Sequence, residues 1–187
     1  MTVLPQPSPR DAGVVAVTGH SVVFTDADPG WVRARLPAGD LSAPLSPAFL
    51  AALAAHTGRE AHSTDMLACA PALPGPPPIE LTEQADPAHP RVSRALRYRD
   101  DVRAWQAAGG VVLIGRGVAA RWEVAIEVDA GHRGRGLGRS LATAARHLVP
   151  GGGALWAQIA PGNAASVRAF LAAGFAPVGA EALLIAP

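Results

Sequence analysis

The sequence predicts a mixed α/β (α+β) protein with an N-terminal α/β extension, and three stretches carry that expectation. Glu123-Val124-Ala125-Ile126-Glu127-Val128 reads as a strand running into a glycine-rich turn, Gly131 to Ser140, after which Leu137, Leu141, Ala144 and Leu148 recur at helical spacing. A second strand and helix follow, in Ala154 to Ile159 and in Asn163 to Phe175. Near the start, Val14 to Val17 and Ser21 to Phe24 read as a hairpin turned at Thr18-Gly19-His20.

In chain order, Trp31 to Leu36 is too short to assign. Ser46 or Ser42 can cap a helix through Phe49, Leu50, Leu53 and Ala54 that stops at Gly58, and Met66 to Cys69 reads as a strand. Pro71 to Pro90 contains Leu73-Pro74-Gly75-Pro76-Pro77-Pro78, which cannot be regular helix and is most simply a connector. It divides the chain into residues 1–88 and 89–187. From Arg91 to Trp105 two patterns compete, and a helix to about Tyr98 followed by a strand after Asp101 is favoured, paired with Val111 to Ile114 across Ala108-Gly109-Gly110.

The 187 residues can bury a substantial core, and no apolar run approaches a bilayer span. The first residues lack a basic region followed by an apolar one, which argues against secretion; a cytoplasmic location is the default expectation. One cysteine, Cys69, excludes an internal disulfide. Net charge is +1, divided unevenly: residues 1–88 carry 4 Arg against 9 Asp and Glu, net −5, whereas residues 89–187 carry 12 Arg against 6, net +6. The basic half suits a phosphate-bearing ligand, and the few scattered aromatic residues argue against a nucleic-acid partner. His56 and His62, six apart across Gly58 with no cysteine or carboxylate cluster beside them, do not make a metal site.

A strand, glycine turn and helix in that order offer unpaired N–H groups and a favourable dipole to an anion, and Arg133, Arg135 and Arg139 add charge. A Walker A loop requires a lysine, and the chain has none. Gly115-Arg116-Gly117-Val118-Ala119-Ala120 spells a dinucleotide fingerprint, but a strand follows where a helix is required.

What fits is Arg133-x-x-Gly136-x-Gly138 after Val128-Asp129, followed by Asn163, a helix and Gly174-Phe175. This resembles the acyl-CoA-binding pattern of the GNAT superfamily of N-acetyltransferases, over about residues 100–187. The resemblance implies a mixed, mainly antiparallel central sheet flanked by helices, with the strands before and after the loop splayed apart to take pantetheine. It also implies acetyl-CoA as co-substrate, bound by Val128, Arg133, Gly134, Arg135, Gly136, Leu137, Gly138, Arg139, Ser140 and Asn163, with no metal. The acceptor would be a small-molecule or peptide amine, and residues 1–90 would shape its site or an oligomer interface such as that of a homodimer.

Acyl transfer to an amine needs a base, because an alkylammonium titrates near pH 10.4. Glu127 and Glu123 are the candidates; an equal alternative is that each only pairs with arginines. The resemblance places a proton-donating tyrosine where this chain has Phe170, leaving Ser166 as a displaced donor or as a first-turn serine serving the backbone. Two functions follow: an amine acetyltransferase, or a catalytically silent acyl-CoA-binding or partner-binding module.

Overall fold

The computed structural model describes residues 1–83 and 86–186. Among these the chain runs β1 (Thr2–Leu4), β2 (Ala12–Val17), β3 (His20–Phe24), α1 (Pro29–Arg33), α2 (Pro47–Thr57), β4 (Glu60–Pro71), β5 (Thr82–Glu83), α3 (Pro90–Tyr98), β6 (Asp100–Ala107), β7 (Gly110–Arg116), β8 (Trp122–Val128), α4 (Leu137–Ala145), β9 (Ala154–Ile159), α5 (Ala164–Ala172) and β10 (Ala176–Ile185). It divides into two units, Met1–Leu67 with Val178–Pro187, and Ala68–Pro177. The proline-rich stretch belongs to the second unit, where the N–H groups of Ala72 and Leu73 bond the carbonyls of Gly153 (2.7 Å) and Arg146 (2.8 Å). Residues 84 and 85 of the expected connector lie outside the described residues.

In the first unit the strand order is β1-β3-β2-β10-β4. The expected hairpin is β2 and β3, paired antiparallel from Gly13↔Phe24 to Val17↔His20. α2 begins and ends as its sequence dictates: the Ser46 hydroxyl accepts from Phe49 N–H, and Gly58 closes the helix at φ 66°, a left-handed conformation that glycine adopts without cost. The unassigned Trp31 stretch falls in α1, capped by Asp28, whose carboxylate accepts from Trp31 N–H at 2.9 Å. Val14 and Val23 of the hairpin, Val32 of α1, Phe49, Leu50 and Leu53 of α2, and Ala182 and Leu184 of β10 form one buried cluster. Arg59 ties its edges by donating to the carbonyls of Arg10, Pro9 and Leu184 and to Gln6 Oε1.

In the second unit the order is β4-β9-β8-β7-β6-β5. β5 to β8 pair antiparallel in sequence, the meander expected from the resemblance, and β8 and β9 are parallel. The conflict between Arg91 and Trp105 resolves as helix then strand, with the helix ending at Tyr98. A register shift between Asp100 and Arg103, with Asp101 at φ 49°, absorbs the change of direction. At the sheet's outer edge Arg103 donates to both oxygens of Glu83, which holds that carboxyl below its usual value. α3 packs on one face through Val92 and Ala95, against Ala104, Leu113 and Ala125. On α4, a Cβ at Gly138 would lie 3.4 Å from the Ala169 methyl of α5 and 3.7 Å from Val128. The result is a mainly antiparallel sheet flanked by helices. One helical expectation is corrected: α4 stops at Ala145, so Leu148 lies in the turn after it.

In β10, a Cβ added at Gly179 would run into the carbonyl oxygen of Ala16 on β2. Gly179→Ala is therefore expected to cost about 1–3 kcal/mol through overpacking, read as a lower urea midpoint.

Candidate functional site

β8 pairs with β7 without interruption from Trp122↔Arg116 to Val128↔Gly110. With no bulge, Glu123, Ala125 and Glu127 share one face, the face covered by α3. The two glutamates nevertheless stand in different surroundings. Glu123 is 3% exposed, and its carboxylate accepts from Arg99 Nε (2.9 Å) and Arg121 Nε (2.8 Å). A Cβ at Gly117 would overlap that carboxylate, so the turn before β8 closes directly over it. Glu127 is half-buried and accepts from Arg91 Nε at 3.2 Å, with both side chains more than a third exposed. Glu123 is thus enclosed on every side, whereas Glu127 opens to solvent at the end of the strand.

β8 and β9 are paired only at Trp122↔Leu155 and Glu123↔Trp156. Beyond Glu123 the strands carry no mutual register although β8 continues to Val128 and β9 to Ile159. Asp129 N–H bonds the Gly109 carbonyl on the β7 side, at 2.9 Å. Because main-chain groups alternate along a strand, the Val128 peptide is turned the other way, toward the gap. Its carbonyl accepts from Arg133 Nε at 3.1 Å.

At the mouth of the gap, residues 129–136 are exposed. Gly136 caps α4 at φ 86° with no side chain in the cap, and a Cβ there would meet nothing within 4 Å. Gly136 is thus set by backbone conformation, whereas Gly138, two residues on, is set by packing. Arg133, Arg135 and Arg139 are exposed, and among the described residues none of them is ion-paired with a carboxylate. Leu137, Gly138 and Ser140 lie in the first turn of α4 and are half-buried. His132 is exposed and lies over Gly109, where a Cβ would overlap its ring.

Asn163 caps α5 by accepting from Ser166 N–H at 3.1 Å. Ser166 is half-buried, and among the described residues its hydroxyl has no hydrogen-bond partner. Phe170 is 5% exposed and meets Phe175 edge-on, ring centroids 5.0 Å apart, so its ring is core. Trp105 is core as well, at 5% exposed. Among the described residues no group of three metal-ligating side chains comes together, and no helix is long and apolar enough to cross a membrane.

The sequence reading missed Arg91, Arg99 and Arg121 as the partners of the two glutamates. The available signal was the density of arginine between 91 and 99, at positions one turn apart.

The model of the acetyltransferase (GNAT) family matches residues 67–175, more than half of the chain. The chain belongs to that family. Its match begins in β4 and ends just after α5, so it contains the gap, the glycine turn and both flanking helices. Among solved structures, a GCN5-related N-acetyltransferase from Kribbella flavida is 18% identical with a TM-score of 0.49, covering 74% of this chain and 63% of its own length. A structure described as an acetyltransferase from the GNAT family, from Novosphingobium aromaticivorans, is 19% identical with a TM-score of 0.43, covering 69% of this chain and 67% of its own. The search of curated proteins returned no match.

The contrast between the glutamates is measurable as stability. Glu123→Gln leaves two arginines, each about 14% exposed or less, without their anion and is expected to cost about 3–5 kcal/mol. Glu127→Gln breaks a solvent-exposed pair and is expected to cost about 1 kcal/mol or less. Urea unfolding of both variants checks the ranking. Phe170→Tyr places a hydroxyl in apolar packing and is expected to lower the melting temperature, which calorimetry would show.

Proposed function

We propose that this protein transfers an acetyl group from acetyl-CoA to a primary amine. The observation that carries the reading is the two-residue pairing of β8 with β9, which opens a gap beside the N-terminus of α4. In this reading the amides of residues 133–139, with the exposed side chains of Arg133, Arg135 and Arg139, hold the pyrophosphate, and Asn163 shapes the far side by fixing the start of α5. The pantetheine arm lies in the gap and takes the Val128 carbonyl, exchanging for its present bond to Arg133. Binding both substrates there turns a bimolecular encounter into an intramolecular one.

The reaction forms one N–C bond and breaks one C–S bond. The amine attacks the thioester carbonyl, the carbonyl oxygen gains charge near the main-chain N–H of Val128, and the ammonium proton leaves for a base. Glu127 is the proposed base because its carboxylate is accessible, directly or through one water, whereas Glu123 is enclosed. The thiolate departs and is protonated by Ser166, whose hydroxyl is unengaged and regains a proton from solvent, or by water; Glu127 returns its proton to solvent, leaving amide and free CoA. A silent acyl-CoA-binding module is the second reading, favoured by Phe170, buried in the core where the resemblance expects a proton donor.

Saturating CoA is expected to raise the melting temperature, by about 2.7 kcal/mol of added stability at a hundredfold excess over Kd. Replacing Gly136 by a bulky residue should remove that shift, at a cost of about 1 kcal/mol of backbone strain at φ 86° that urea unfolding of the free protein measures separately. No shift with the unsubstituted protein at millimolar CoA would sink the donor assignment. A thiol-release assay over a panel of amines separates enzyme from module. If turnover is found, Glu127→Gln should depress it mainly below the amine's pKa and recover partly at high pH, while Ser166→Ala should lower kcat without weakening CoA binding. An unaltered pH profile in Glu127→Gln removes Glu127 from the role.

A further inference from the structure

α3 carries four arginines within nine residues, counting Arg99 at its C-cap, and they fall into two classes. Arg91 and Arg99 are neutralised by Glu127 and Glu123 on β8. Arg94 and Arg97 are exposed and have no carboxylate partner among the described residues. Both lie against Tyr98 instead, with guanidinium carbons 5.2 and 5.4 Å from its ring centroid. Such a contact holds a guanidinium by its flat side and leaves its N–H groups for a further partner.

Position gives this pair a direction. Arg91, Arg94 and Tyr98 stand at i, i+3 and i+7 and so share one flank of the helix. That is the flank from which Arg91 reaches Glu127, the proposed base, at the open end of β8. Val92 and Ala95 point inward to the sheet, leaving Arg94 and Arg97 at the outer rim. Tyr98, against which both guanidiniums lie, is seven residues beyond Arg91, a rise of about 10 Å along the axis. Arg94 and Arg97, three residues apart, are like charges that oppose one another on the helix, and an anion bound between them removes that cost.

We infer that the acceptor amine carries an anionic group, a carboxylate or a phosphate, which Arg94 and Arg97 receive while the amine meets Glu127. The inference rests on the acetyltransferase reading above. It narrows the acceptor from any primary amine to an amine whose anion lies on the order of two helical turns, about 10 Å, away. An uncharged amine of the same length would leave the two guanidiniums unmatched and gain nothing from them. A guanidinium pair binds either anion by paired N–H bonds, so both chemistries belong in one test.

The test uses the full chain with acetyl-CoA and three series of amines of increasing length: ω-amino carboxylates, aminoalkyl phosphates, and their uncharged amide or alcohol analogues. The expected result is a kcat/KM for an anionic series at least tenfold above that of its uncharged analogue at the best length. That ratio should fall at least tenfold in Arg94→Ala/Arg97→Ala. Alanine at these exposed helical positions is a good helix former, and circular dichroism verifies that the variant folds. Which anionic series shows the advantage decides between carboxylate and phosphate. Equal use of charged and uncharged amines, or a preference that survives the double substitution, overturns the inference. A melting shift by the anionic amines provides a second readout. If no amine turns over yet that shift is present and lost in the double variant, the anion site stands and the reaction proposed above fails. Neither turnover nor shift overturns the site.

Discussion

A carboxylate 3% exposed, held between two guanidiniums at 2.8 and 2.9 Å, is the fixed point of the second unit. An isolated charge could not be placed there, so Glu123 requires both arginines, and each brings its own segment with it. Arg99 follows α3, and Arg121 belongs to the turn before β8 and lies 5.4 Å from the ring centroid of Trp156 on β9. Gly117 can close over the carboxylate only because it lacks a Cβ. Glu123 is also the last residue at which β8 and β9 are in register. The fastened end of the strand pair and the open end are therefore adjacent. The gap is a defined departure from a clamped point, unlike a frayed sheet.

The same clamp organises charge on α3. With Arg99 committed to Glu123 and Arg91 to Glu127, the helix runs antiparallel to β8 at a set height, and its remaining arginines are carried to the rim. The net +6 of residues 89–187 is accordingly not spread evenly over a surface. Part of it is consumed inside the unit. The exposed remainder includes two separate places, the glycine turn with Arg133, Arg135 and Arg139, and the outer flank of α3. The two places would suit the two reactants of the proposed transfer separately, one rich in main-chain N–H groups and the other built of side chains.

What was legible in the sequence was local. Ser46 and Gly58 bound α2 because caps act over three or four residues, and the strand, glycine turn and helix from 122 to 145 are ordered along the chain as they are in space. Helical periodicity overran its proper end at Leu148 because apolar spacing carries no stop signal. β4 was read only over its apolar centre, because Glu60 to Thr64 pair through main chain while their side chains are polar. The pairing of Arg91 with Glu127 joins residues 36 apart and depends on α3 lying antiparallel to β8. Nothing in either segment alone reports that. The difference between Gly136 and Gly138 was equally hidden, since one pattern contains both and only coordinates separate dihedral need from packing.

The bond from Arg133 to the Val128 carbonyl joins the two ends of the proposed donor site through one side chain. The arginine satisfies a main-chain acceptor that would otherwise rely on water. A ligand with both phosphate and pantetheine gives each group a new partner, the guanidinium an anion and the carbonyl an amide N–H. A fragment with only the pantetheine arm must displace the arginine without offering it a charge. A fragment with only the phosphate must draw the arginine away from the carbonyl and leave that acceptor to solvent. In the proposed donor site the two halves would thereby be thermodynamically coupled, and the whole molecule would bind more tightly than the sum of its separated parts suggests. Selectivity for an intact nucleotide thiol over its breakdown products would then need no additional contact, only a single arginine with two alternative partners.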